Sequence, residues 1–134
     1  MSLDEQYFNL VGDAALSSAF MSLAGPFPAD YREEMNAKWL KNIRSIDIPH
    51  DPQFHFCSFL GSQATIKKWQ GDGLPIDNFS TENGVLITKG DRWALNIDPQ
   101  TQANSWIKKM HGKNLNILDV NDAKLVQKMT KFII

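Results

Sequence analysis

The residues best placed to do chemistry in this chain form one run, Asp98, Pro99, Gln100, Thr101, Gln102, Ala103 and Asn104. It lies between an apolar segment ending at Ile97 and a helical pattern running to about Met110. A strand-to-helix turn of this kind offers the free N–H groups of a helix start beside the carboxyl end of a strand, where α/β proteins hold phosphates. A phosphate-binding loop reads G-x-x-x-x-G-K-[ST], because glycines let the backbone wrap the phosphates and the lysine neutralises them. The run has no glycine, and with Asn104 at the hydroxyl position Ala103 stands where the lysine belongs. Asp98 is expected as helix N-cap with Pro99 at the first helical position. Its carboxylate would take up the free N–H groups and repel an incoming phosphate. This is a nucleotide site in outline with its chemistry removed.

Other reactive residue types are weaker candidates. His50, His55 and Cys57 are three potential ligands within eight positions, but zinc sites need four at recurring spacings and there is no second cluster, so no metal site is expected. His111, at a helix end, suits the terminal carbonyls. Cys57 lies among Phe54, Phe56 and Phe59, an apolar setting that raises a thiol pKa and argues against a nucleophile. Asp72, Asp77 and Glu82 read as loop caps rather than a carboxylate pair. Trp39, Trp69, Trp93 and Trp106 read as core anchors.

The elements that must position the turn follow from periodicity and punctuation. Asp4 to Leu23 reads as a helix ended by Gly25-Pro26. A second helix after Pro28, with Asp30 as N-cap and Tyr31, Met35, Trp39, Leu40 and Ile43 as apolar stripe, is expected to pair antiparallel with the first. Residues 54–59 read as a short strand or a turn of helix. Ser62 to Gln70 reads as a helix capped by Ser62 with Ile66 and Trp69 inward, and Ser80 opens another helix. Arg92 to Ile97 and Leu115 to Leu118 read as strands. Each is followed by a helix, the second spanning Asp119 to Ile133 with Val120, Leu125, Val126, Met129 and Phe132 on one side. Strand–helix–strand–helix is the order of a parallel sheet, so the expected class is α/β.

Composition bounds the function. The chain has 134 residues, 43% of them apolar, with 14 basic against 15 acidic side chains. That is enough for one core, and too apolar for a disordered tail. A net charge of −1 disfavours a dedicated nucleic-acid binder. No apolar run approaches the ~20 residues of a membrane span, and no secretory signal is expected. The single cysteine fits a reducing compartment. Residues 101–134 carry six lysines against two acids, scattered as solvated helix faces rather than as a nucleic-acid platform.

Several motifs in order carry a resemblance. These are Leu10-Val11-Gly12-Asp13, Ser18-Ala19-Phe20, Gly25-Pro26-Phe27, Tyr31-Arg32, Ile66-Lys67-Lys68-Trp69, Gly73 to Asp77, Phe79 to Gly84, Arg92 to Gln100 and Gln102 to Ile107. The series resembles the dynein heavy chain over nearly the whole chain, at the fifth AAA+ module of its motor ring. Trp93 after Arg92 and Gln100 after Asp98-Pro99 look more like axonemal than cytoplasmic dyneins. Ala94 stands for a usual proline, Asn96 for an apolar residue and Thr101 for the glycine of the degenerate turn.

The resemblance implies a partial AAA+ core with parallel strands over residues 46–134, ending before the strand that carries paired acidic residues for Mg²⁺. Residues 1–45 would be a helical segment joining this core to the stalk base. It further implies a non-hydrolysing segment of an ATP-driven microtubule motor, with ATP and Mg²⁺ used elsewhere in the parent chain and no cofactor bound here. Partners would be the neighbouring modules and the stalk, with the microtubule reached indirectly and neither nucleic acid nor membrane. The place would be the cytoskeleton, in a cilium or flagellum axoneme. The alternatives are a regulatory module that binds nucleotide without hydrolysis, or an unrelated small α/β binding domain. Apolar surface left open is expected to favour self-association.

Overall fold

The computed structural model describes residues 2–133, without the side chains of Phe132 and Ile133. Helix α1 spans Leu3–Leu23 and begins with a reciprocal cap: the Ser2 hydroxyl accepts the Glu5 N–H at 3.2 Å while the Glu5 carboxylate accepts the Ser2 N–H at 2.7 Å. Its first half leaves Leu3, Tyr7, Leu10 and Val11 exposed, and its second half buries Leu16, Ser17 and Phe20. Helix α2 spans Ala29–Ser45. Its N-cap is Pro28, which has no side-chain acceptor, so Asp30 lies inside the first turn rather than capping it.

The chain after α2 returns to the middle of α1. There the Gly12 N–H donates to the Pro49 carbonyl at 3.1 Å, and the buried Asp13 carboxylate accepts the Asp51 N–H at 2.8 Å. Short helix α3 (Phe56–Leu60) follows. Helix α4 (Gln63–Gly71) starts at Ser62, whose hydroxyl accepts the Thr65 N–H, and buries Ile66 and Trp69. Helix α5 (Asn78–Lys89) starts earlier than Ser80, because Asp77 supplies the cap by accepting the Ser80 N–H at 2.7 Å. The core joins α1 to these helices: Phe20 stacks on Phe56 with ring centroids 4.1 Å apart, and Val85 is fully buried. Trp69 meets Trp106 of α6 (Gln102–His111) edge-on at 5.7 Å.

The expected α/β core is not what forms. Among the described residues there is no strand, and residues 92–97 and 115–118 lie outside every helix and form no ladder. A strand exists through the N–H and C=O groups of its neighbour, so local β-propensity alone cannot make a sheet. Trp93, Leu95 and Ile97 are exposed, which also removes Trp93 from the core anchors; Trp69 and Trp106 are buried and Trp39 packs at the core edge. The last helix, α7, is shorter than expected, Leu125–Ile133. Before it the Asp119 carboxylate accepts the Asn121 N–H at 2.8 Å and that of Asp122 the Lys124 N–H at 2.9 Å, local bonds that compete with helix. Val120 is exposed. The place expected for the Phe132 side chain on one side of this helix, and Ile134 altogether, lie outside the described residues.

Candidate functional site

The turn at residues 98–104 leaves the extended segment and enters α6. Asp98 is not the N-cap itself. The Thr101 N–H donates to the Asp98 carbonyl at 3.2 Å, closing a turn through Pro99 and Gln100, and the helix starts at Gln102 with Thr101 as N-cap. Thr101 adopts φ 60° and ψ 17°, the left-handed region, and its hydroxyl caps nothing. The cap comes from upstream: Asp98 Oδ2 accepts the Asn104 backbone N–H at 2.8 Å and the Asn104 side-chain amide at 3.2 Å. These N–H groups, with those of Ala103 and Gln102, hold the Asp98 carboxyl below its ordinary pKa, the Asn104 backbone contributing most.

The place a phosphate would take is therefore filled by the chain's own carboxylate. The side chain at the lysine position is the methyl of Ala103, and the cations of α6, Lys108, Lys109 and His111, lie in its last turn, roughly 9–14 Å along the axis from its first residue. They complement the negative helix end instead. A nucleotide triphosphate with Mg²⁺ does not fit this donor set: one fixed negative charge faces the N–H groups and no nearby cation offsets it. The side of the turn borders a groove of about 1700 Å³ between α1, α5 and the extended segment. Ser17 and Trp106 line it, and each has a buried polar atom, Oγ and Nε1, with no hydrogen-bond partner.

The remaining candidates separate. His50 Nδ1 lies 2.9 Å from the Ile48 carbonyl and its Nε2 accepts from Arg44 at 3.3 Å. Cys57 is buried in α3, and that burial, with the Glu82 charge adding to it, pushes the thiol up to about 12. No group of three His, Cys, Asp or Glu able to hold a metal occurs among the described residues. Asp77 caps α5, Asp72 ends α4, and Glu82 pairs with Arg32 at 3.1 Å.

Arg32 and Asp13 are the buried charged residues among those described, and sequence reasoning missed both. For Arg32 a signal existed: counting back seven from Trp39 and eleven from buried Ile43 reaches Arg32, not Tyr31, which is exposed.

A family profile described as ATP-binding dynein motor region matches residues 67–134. The chain is 44% identical over 127 residues to the Dynein-1-beta heavy chain of the flagellar inner arm I1 complex of Chlamydomonas reinhardtii. It is 46% identical over 120 residues to dynein axonemal heavy chain 2 of Mus musculus, and 39% over 125 residues to dynein axonemal heavy chain 6 of Homo sapiens. The chain belongs to the dynein heavy chain family. The three alignments cover 92%, 88% and 92% of it, so the dynein likeness includes α1 and α2 as well as the profile's region. The chain spans 3% of the length of each of these dynein relatives. No helix of this dynein segment, among the described residues, is long and apolar enough to cross a membrane.

Proposed function

We propose that this dynein segment is a non-hydrolysing, mechanical part of a heavy chain, the beginning of the fifth ring module and the link between the stalk base and its neighbours. The observation that carries the reading is the Asp98 carboxylate bonded at 2.8 Å to the Asn104 N–H, occupying the helix start that a phosphate would need. A segment that fills its own anion site contributes stiffness rather than turnover. In the parent motor, ATP and Mg²⁺ belong to other modules, the partners are the adjoining modules and the stalk, and the microtubule is reached through the stalk. The printed names of the relatives, axonemal and flagellar, support placement in a cilium or flagellum.

Calorimetric titration with ATP and ADP, with and without Mg²⁺, tests the reading, and no binding in the micromolar range is expected. The groove beside the turn favours one second reading, a regulatory site that holds a nucleotide by its base without hydrolysis, because two buried polar atoms there lack partners. Micromolar affinity lost on filling the groove, and kept when Asp98 is replaced, would select that reading over the first.

A further inference from the structure

Arg32 is 2% exposed, and a buried guanidinium is stable only if its donors are used. Here they are used in two directions. Toward the corner between α1 and α2, Nε donates to the Ala24 carbonyl at 3.0 Å and the Phe27 carbonyl at 2.9 Å, and Nη2 to the Gly25 carbonyl at 3.1 Å. Toward α5, Nη1 donates to Glu82 Oε2 at 3.1 Å and Nη2 to Asn83 Oδ1 at 2.7 Å. The guanidinium carbon also lies 4.4 Å from the centre of the Phe79 ring. The carbonyl of Ala24 is at the negative end of α1, where a cation is favoured.

Three helices thus end their polar accounting on one planar side chain. Sliding the α1–α2 corner against α5 would strip charge-assisted bonds from a guanidinium that is 2% exposed and whose partner Glu82 is 18% exposed, and such bonds are the strong ones. A lysine has the charge but not the fork that meets five acceptors in two directions.

We propose that Arg32 is a latch that makes α1, α2 and α5 move as one body, so that displacement of α1 is delivered to α5 and on to the extended segment behind it. This deepens the mechanical reading above and rests on it.

Hydrogen exchange by mass spectrometry on the heavy chain that carries this sequence tests it, since cooperative units exchange together. The bonded amides of the corner (Ala24, Phe27, Arg32) and those of α5 are expected to exchange through one shared opening. In Glu82→Gln/Asn83→Ala the α5 amides should exchange about tenfold faster or more while the corner keeps its protection, because the three carbonyl bonds survive. In Arg32→Lys both should accelerate. If the double variant does not fold, Glu82→Gln alone is read the same way.

Equal acceleration of both regions in the α5 variants, or separate rates in the unsubstituted chain, overturns the latch, whatever happens to thermal stability. ATP hydrolysis traced to the turn at residues 98–104, with the two rates still shared, would sink the non-hydrolysing reading and leave the latch standing.

Discussion

A Cβ placed on Gly12 would stand 2.2 Å from the Pro49 carbonyl oxygen and 2.7 Å from His50 Cβ, inside the closest approach real atoms make. The glycine is there because backbone meets backbone, which also allows its N–H to reach Pro49 at 3.1 Å. Gly12→Ala should therefore destabilise the chain by about 2 kcal/mol, the overpacking cost outweighing alanine's better helix propensity, and a lower urea midpoint at unchanged slope would register it. Cys57, with its thiol pushed up to about 12 by burial, should resist a thiol reagent at neutral pH until the protein unfolds. Reaction at the rate of a free thiol would contradict the burial. The apolar setting of Cys57 was legible from its three phenylalanine neighbours in sequence. The constraint on Gly12 was not, because a glycine within a helical pattern says nothing of which distant backbone will touch it.

At the scale of elements, the turn into α6 sets a strained residue beside a strong acceptor. Thr101 holds a left-handed conformation at φ 60°, costly for a β-branched side chain, and its hydroxyl gains no cap in return. Thr101→Gly should stabilise the chain by about 1 kcal/mol once glycine's larger unfolded-state entropy is subtracted, seen as a rise in Tm; a fall would mean the side chain holds the turn. Asp98 is the acceptor. Its folded pKa is below the unfolded value, so its contribution is present above the ordinary carboxylate range and is lost as pH falls through the folded value. The Asn104 amide should lose exchange protection only on acidification below the ordinary carboxylate range, and in Asp98→Ala it should already be unprotected at neutral pH.

The helix caps at Ser62 and the helical type of α5 were readable because capping is a local, short-range bond. Residues 92–97 and 115–118 were misread as strands, because pairing is a non-local decision that no period-two pattern encodes. The capping role of Asp98 was legible too, though its placement was off by three positions, since a left-handed Thr101 cannot be inferred from residue type.

At the scale of the molecule, apolar surface is distributed in a way a closed core does not require. Trp93, Leu95 and Ile97 are exposed along one extended segment, and Leu3, Tyr7 and Val11 along the first half of α1. Isolated exposed apolar side chains are ordinary, but consecutive ones on one edge or one helix face form patches that bury against something. The charge division adds direction: residues 1–60 carry eight acids against four bases, and residues 101–134 two against six. Like molecules can thus approach with unlike ends. The chain on its own should self-associate as concentration rises, with the weight-average mass in sedimentation equilibrium climbing above the 15.2 kDa of one chain. Raising salt should weaken this only in part, because apolar burial persists when surface charges are screened. Replacing Trp93, Leu95 and Ile97 together by serine should lower the association without lowering Tm, since none of the three is buried. A constant monomer mass across the concentration range, or a triple variant that associates as strongly as the parent, would show that these side chains are tolerated singly by water and that the extended segment is no patch at all.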